Sequence, residues 1–140
     1  MKLTSRSEYG LLAMLDLAKH SSVRLVQSHE IARRQNIPEP YLNQLLTVLS
    51  RAGLVTSRRG PGGGYLLARP ADTISVGEVV ALLEGPPSNG HEDGINDRPF
   101  VPLIRKLCQQ AHEAAAAVLE SVTLADLLWQ ESERAPRYSI

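Results

Sequence analysis

Two short stretches of the chain carry residue types at spacings suited to recognition chemistry. The first is Pro38–Thr47, whose outward polar side chains are Glu39, Asn43, Gln44 and Thr47. A carboxamide presents a donor beside an acceptor, the pattern that pairs with adenine N6 and N7 in a major groove. Asn43 and Gln44 are therefore the candidates for base readout, and Arg51 at the end of the same stretch could hold a phosphate. The second is Ser57-Arg58-Arg59-Gly60-Pro61-Gly62-Gly63-Gly64-Tyr65. Two arginines lead into a turn whose glycines permit positive φ and close backbone approach. A narrow hairpin tipped with arginine suits a minor groove, whose negative potential attracts the guanidinium. A solvated helix face is the competing reading of Asn43 and Gln44. A plain structural turn is the competing reading of the tip, but it does not account for the paired arginines. A phosphate-cradling enzyme loop fails in detail, because Gly60–Gly64 is not followed by Lys-Ser/Thr and no G-x-G-x-x-G register is present.

A third set could bind metal. Cys108 and His112 stand at i and i+4, and His91, Glu92 and Asp93 precede them; Glu8 could reach over from a second copy. Cysteine, histidine and carboxylate together can ligate a metal or cluster. Three readings stay open: Cys108 as a small core residue with His112 solvated, a mixed-ligand metal or cluster site, and a thiol redox switch. With one cysteine in the chain, a three-cysteine site and an intrachain disulfide are both excluded. No Ser/His/Asp or Cys/His arrangement supports catalysis, so no enzyme activity is expected.

These residues need elements to place them. Apolar spacing predicts a helix over 5–20, with Leu11, Leu12, Leu15 and Ala18 inward. Ser28 reads as the N-cap of a short helix, His29–Gln35, with Ile31 and Ala32 inward. Asn36-Ile37-Pro38 is a turn. Pro38 and Pro40 suit the start of a third helix, with Tyr41, Leu42, Leu45, Leu46 and Leu49 on its apolar side and Gly53 as its stop. Leu54–Arg58 and Tyr65–Ala68 read as two strands. Ser75 caps a helix over Val76–Leu83 that Gly85 ends. Residues 85–99, rich in Pro, Gly, Asn and Asp, read as a flexible loop. A long helix follows over about 100–121, and Thr123 caps a last one over Leu124–Glu133, with 135–140 as a tail. In the long helix Ile104, Leu107, Ala111, Ala114 and Val118 form a heptad seam with an alanine centre. The seam either packs on its own domain or crosses its twin in a homodimer, and the second fits a chain with little else to cover it.

The totals bound the function. The 140 residues hold 15 basic and 15 acidic side chains, but the halves differ: residues 1–70 carry ten basic and four acidic, residues 71–140 five basic and eleven acidic. Neutrality is thus a cancellation of opposite ends, and such asymmetry points to nucleic-acid contact by the first half. No acid lies between Glu39 and Asp72. Aromatic content of 4% disfavours a single-strand binder built on stacking. No apolar run approaches the ~20 residues of a membrane span, and Glu8 and Asp16 interrupt any leader-like core. A cytoplasmic protein with no membrane contact is expected.

Three short helices and a glycine-tipped hairpin make a winged helix-turn-helix pattern, mainly α with a small β-hairpin. The chain resembles the Rrf2 family of bacterial winged-helix transcription regulators, with its IscR-, NsrR- and CymR-like members. The resemblance rests on LTSRSEYGLLAMLDLA (3–18), on IARRQNIPEPYLNQLLTVLSRAGLVTSRRGPGGGYLLAR (31–69) and on ISVGEVVALLEG (74–85), with TLADLL (123–128) weaker. It implies a winged helix-turn-helix DNA-binding domain over 1–84 and a dimerisation helix with a short final helix over 100–134. It also implies a homodimer on a pseudo-palindromic operator of double-stranded DNA; the function expected for the chain is that of a regulator, a repressor rather than an activator. Tyr41 and Ser57 would touch the DNA backbone, Asn43 the bases and Arg59 the minor groove. Together with Gln44, Thr47, Arg51, Arg58 and Gly60 they make up the expected DNA contacts. Iron–sulfur members carry Glu where this chain has Asn43, and three cysteines that it lacks. No cofactor is therefore expected, an iron–sulfur cluster staying open only through the mixed set of Glu8, Cys108 and His112. The alternative function is a signal-relay module whose acidic C-terminal half docks a metabolic enzyme, a protein partner that CymR-like members suggest.

Overall fold

The computed structural model describes residues 2–85 and 98–134. In chain order it contains α1 (Ser5–His20), α2 (Ser28–Gln35), α3 (Glu39–Arg51), β1 (Val55–Arg58), β2 (Gly64–Leu67), a 3-10 turn (Ala71–Thr73), α4 (Val76–Glu84), α5 (Val101–Glu120) and α6 (Leu124–Arg134). This is the mainly helical winged architecture expected, with one two-stranded antiparallel hairpin. Local chemistry sets the boundaries. The Thr4 hydroxyl accepts from Ser7 N at 3.2 Å, and the Ser75 hydroxyl from Glu78 N at 2.9 Å. Thr123 and Asp126 cap each other's backbone N–H groups at the start of α6. The helix α2 corrects the expected cap: Ser28 is already helical, Gln27 is the capping position, and its N–H donates to the Glu30 carboxylate at 2.8 Å. Arg24 and that N–H hold the Glu30 carboxyl down at about 2. Asn36, at φ 55°, turns the chain from α2 into α3. An amide side chain tolerates this left-handed geometry better than most.

The core lies where α1, α3 and α4 meet. Met14 and Leu17 of α1, Leu42, Leu45, Leu46 and Leu49 of α3, and Val79 of α4 are fully buried. Each such side chain contributes about 1.5–3 kcal/mol of transfer free energy. Tyr41 is half-buried rather than fully inward, its ring edge-on to Tyr9 with centroids 5.7 Å apart. The chain returns to this core after α5. Leu124 is fully buried, Leu124 N donates to Ile74 O at 2.9 Å, and Val76 N to Val122 O at 2.8 Å.

A charged pin joins α1 to α2. The Asp16 side chain is completely buried. Arg34 donates to both its oxygens, from Nε at 2.9 Å and Nη2 at 2.7 Å, and Gln35 Nε2 donates at 2.9 Å. Burial pushes the Asp16 carboxyl up; the hydrogen bonds from Arg34 and Gln35, with the charges of Arg34 and His20, outweigh it and hold the carboxyl below its ordinary value.

Helix α5 has no fully buried residue along its length, although Leu119 near its end packs against the core and Glu120 accepts from the Ser75 hydroxyl at 3.2 Å. Ile104, Leu107 and Val118 are 58%, 66% and 64% exposed, and Ala111 and Ala114 are exposed between them. Among the described residues, then, the seam is not covered by its own domain. Cys108 is exposed too, which corrects its reading as a core residue, and His112 is solvated beside it.

Candidate nucleic-acid interface

The hairpin is fixed to the helices by backbone geometry. Strands β1 and β2 pair in the register Val55↔Leu67 to Arg58↔Gly64. On the other side of β2, Val26 N donates to Tyr65 O at 3.0 Å and Tyr65 N to Val26 O at 2.7 Å. The connector before α2 thus acts as a third rail for the wing. Gly64 makes that approach possible: a Cβ there would sit 2.8 Å from the Val26 carbonyl oxygen. At the tip, Gly60 holds φ 95°, a value that would strain any other residue.

Helix α3, the start of α2 and the wing enclose a groove of roughly 710 Å³. Of the expected contacts, Thr47, Arg51, Ser57, Arg58, Arg59 and Gly60 line it. Tyr41, Asn43 and Gln44 do not. Asn43 and Gln44 are exposed earlier along α3, and Tyr41 is held against Tyr9. The Thr47 hydroxyl donates to Asn43 O at 2.9 Å, which commits its proton and leaves it an acceptor toward any ligand. Sequence reasoning missed Gln27, Ser28 and Ser50, which also line the groove. Ser28 was legible only as a helix cap, and nothing in the pattern brings residue 27 beside residue 65. Ser50 Oγ is buried without a hydrogen-bond partner among the described residues.

Electrostatics separate two kinds of arginine. Arg24, Arg34 and Arg69 are held by Glu30, Asp16 and Glu78 at 2.7, 2.7 and 2.6 Å. Arg51, Arg58 and Arg59 are exposed and form no ion pair among the described residues. Three uncompensated guanidinium groups beside the exposed polar face of α3 suit a ligand with regularly spaced phosphates.

The proposed metal ligands fare differently. Among the described residues no three His, Cys, Asp or Glu side chains are grouped to hold a metal, so Glu8, Cys108 and His112 form no such site within one chain. His91, Glu92 and Asp93 lie outside the described residues. No helix among the described residues is long and apolar enough to cross a membrane.

A helix-turn-helix with a basic wing, sharing one polar and cationic face, defines a DNA-binding winged-helix transcriptional regulator. Comparison with known proteins agrees. The family model Rrf2, described as an iron-dependent transcriptional regulator, matches residues 3–130. The protein rrf2 of Nitratidesulfovibrio vulgaris is 43% identical over 131 residues, covering 91% of this chain and 87% of its own. A solved structure of T. potens IscR superposes with TM-score 0.83 at 36% identity, covering 99% of this chain and 94% of that one. The structure of CymR, the global cysteine regulator of B. subtilis, gives TM-score 0.76 at 38% identity, with 91% and 95% covered. The chain belongs to the Rrf2 family. The iron in the family's description does not fit this chain as a three-cysteine cluster, because its single thiol, on the solvent side of α5, cannot supply three ligands.

Proposed function

We propose that this regulator is a non-catalytic, cytoplasmic homodimer that recognises a pseudo-palindromic operator and represses by occupying it. The observation that carries the reading is the shared groove. Arg51 from α3, and Ser57, Arg58 and Arg59 from the wing, surround one channel, with the start of α2 on its far wall. A DNA strand fits this channel with its phosphates against Arg51, Ser57 and Arg58. Asn43 and Gln44 then face the major groove, and Arg59 with Gly60 enters the adjacent minor groove. Tyr41, braced by Tyr9, and the Thr47 hydroxyl supply further backbone contacts.

The dimer rests on α5. Its exposed Ile104, Leu107 and Val118, spaced by Ala111 and Ala114, form an apolar seam that a second copy can cover with close backbone approach. Residues 1–84 then read DNA, and residues 100–134 join protomers while α6 ties them to the core. A two-fold dimer presents two α3 helices, and so demands half-sites related by symmetry. The reading needs no cofactor.

The test is mutational, on an operator selected from random duplex DNA by the full-length protein. Arg59→Ala weakens operator binding by about 1–3 kcal/mol, or roughly 5- to 150-fold. Asn43→Ala changes which bases are preferred more than it changes binding to unrelated DNA. Unchanged affinity for the first and unchanged preference for the second would remove wing and helix from the account.

A further inference from the structure

An acidic side chain stands beside the groove that Arg51, Arg58 and Arg59 line, bonded to a residue of its wall. Glu39 is the first residue of α3, it is exposed, and no acid follows it until Asp72. Among the described residues it forms no ion pair. Its Oε1 instead accepts a hydrogen bond from the Ser28 hydroxyl at 3.3 Å, across the turn between α2 and α3. Ser28 itself lines the groove between helix and wing. A carboxylate facing a polyanion is repelled, so for affinity alone α3 would do better without it.

The same carboxylate is acceptor-only. Among base edges in the major groove, cytosine offers the N4 amine as a donor with no acceptor of its own. Adenine sets the N7 acceptor beside its N6 donor, and guanine presents two acceptors. The first residues of the groove helix are those that reach base edges. Glu39 and Asn43, four residues apart, share one face of α3. We infer that Glu39 is a specificity-determining residue: its carboxylate, held by the Ser28 hydroxyl, accepts from the N4 amine of a cytosine and disfavours other DNA. The inference rests on α3 being the groove helix. Its logic is that of discrimination by repulsion, in which affinity for wrong partners is lowered together with a specific attraction to the right one.

The test is selection of random duplex DNA by the full-length wild type, Glu39→Ala and Glu39→Gln, with melting temperatures recorded for all three. The wild type should enrich cytosine by about tenfold at one position per half-site. Glu39→Ala should lose that preference and bind unrelated DNA more tightly. Glu39→Gln should move it toward adenine, since a carboxamide matches N6 and N7. Identical base preferences in all three proteins overturn the inference, even if both variants bind all DNA more tightly, for then only charge is at work. A shift in melting temperature with unchanged preferences also overturns it, and assigns Glu39 to the start of α3 as a dipole partner. A wild type that enriches no sequence defeats the reading of α3 itself, and the Glu39 assignment with it.

Discussion

Replacing Asp16 with asparagine removes one charge and little volume from the pin between α1 and α2. The side chain is fully buried and accepts three hydrogen bonds between 2.7 and 2.9 Å. An amide keeps one acceptor oxygen but turns an N–H toward the guanidinium or the Gln35 amide, donor against donor. Breaking a buried pair by removing one partner costs about 3–5 kcal/mol. The lower end applies here because the Arg34 side chain is 28% exposed and recovers water. About 3 kcal/mol lowers the melting temperature of a chain this size by roughly 10 °C. Urea titration at fixed protein concentration checks the magnitude, and its pH dependence checks the cause. The folded carboxyl lies below its ordinary value of 3.8, so its contribution is fully present above that value and is lost as pH falls through the folded one. The gap between wild type and Asp16→Asn should therefore be flat from pH 7 to about 5 and close in stronger acid. A gap under about 1 kcal/mol at pH 7, or one that widens in acid, would mean that the ionised Asp16 does not hold α1 to α2 in this way.

Two further outcomes follow from the geometry. Gly64→Ala puts a Cβ against the Val26 carbonyl, and should destabilise by about 1–3 kcal/mol and weaken operator binding through the displaced wing, measured by melting and by fluorescence anisotropy. Leu107→Glu alters a residue already 66% exposed, so the fold should persist by circular dichroism while sedimentation shows monomers; an intact dimer would dismiss α5 as the seam.

Much of this architecture was readable in the residues, for physical reasons that differ by element. The leucines at 42, 45, 46 and 49 repeat with helical period, and burial has one consistent solution for them. Ser75, Thr123 and Gly85 announce boundaries because capping chemistry is local. Ser28 misled because Gln27 with Glu30 forms the box one residue earlier, a competition between two local patterns that composition cannot rank. The Val26–Tyr65 pairing and the Asp16–Arg34–Gln35 pin were invisible, since both join residues distant in sequence. Cys108 shows the limit most clearly. Periodicity marks α5 as amphipathic, but only the packed chain shows that Ile104, Leu107, Cys108 and Val118 are left exposed by the other described residues.

The face shared by α3 and the wing is proposed to bind duplex DNA by phosphate neutralisation and to read its sequence. The measurement that tests this most directly is the affinity of the full-length protein for a selected operator and for a scrambled duplex, each across a salt series. Operator affinity should fall by about 10³–10⁵ between 50 and 200 mM salt, as expected for 6–10 neutralised phosphates. The operator should stay preferred throughout. Affinity that ignores salt, or equal affinity for both duplexes, would show that this face does not bind DNA in this way.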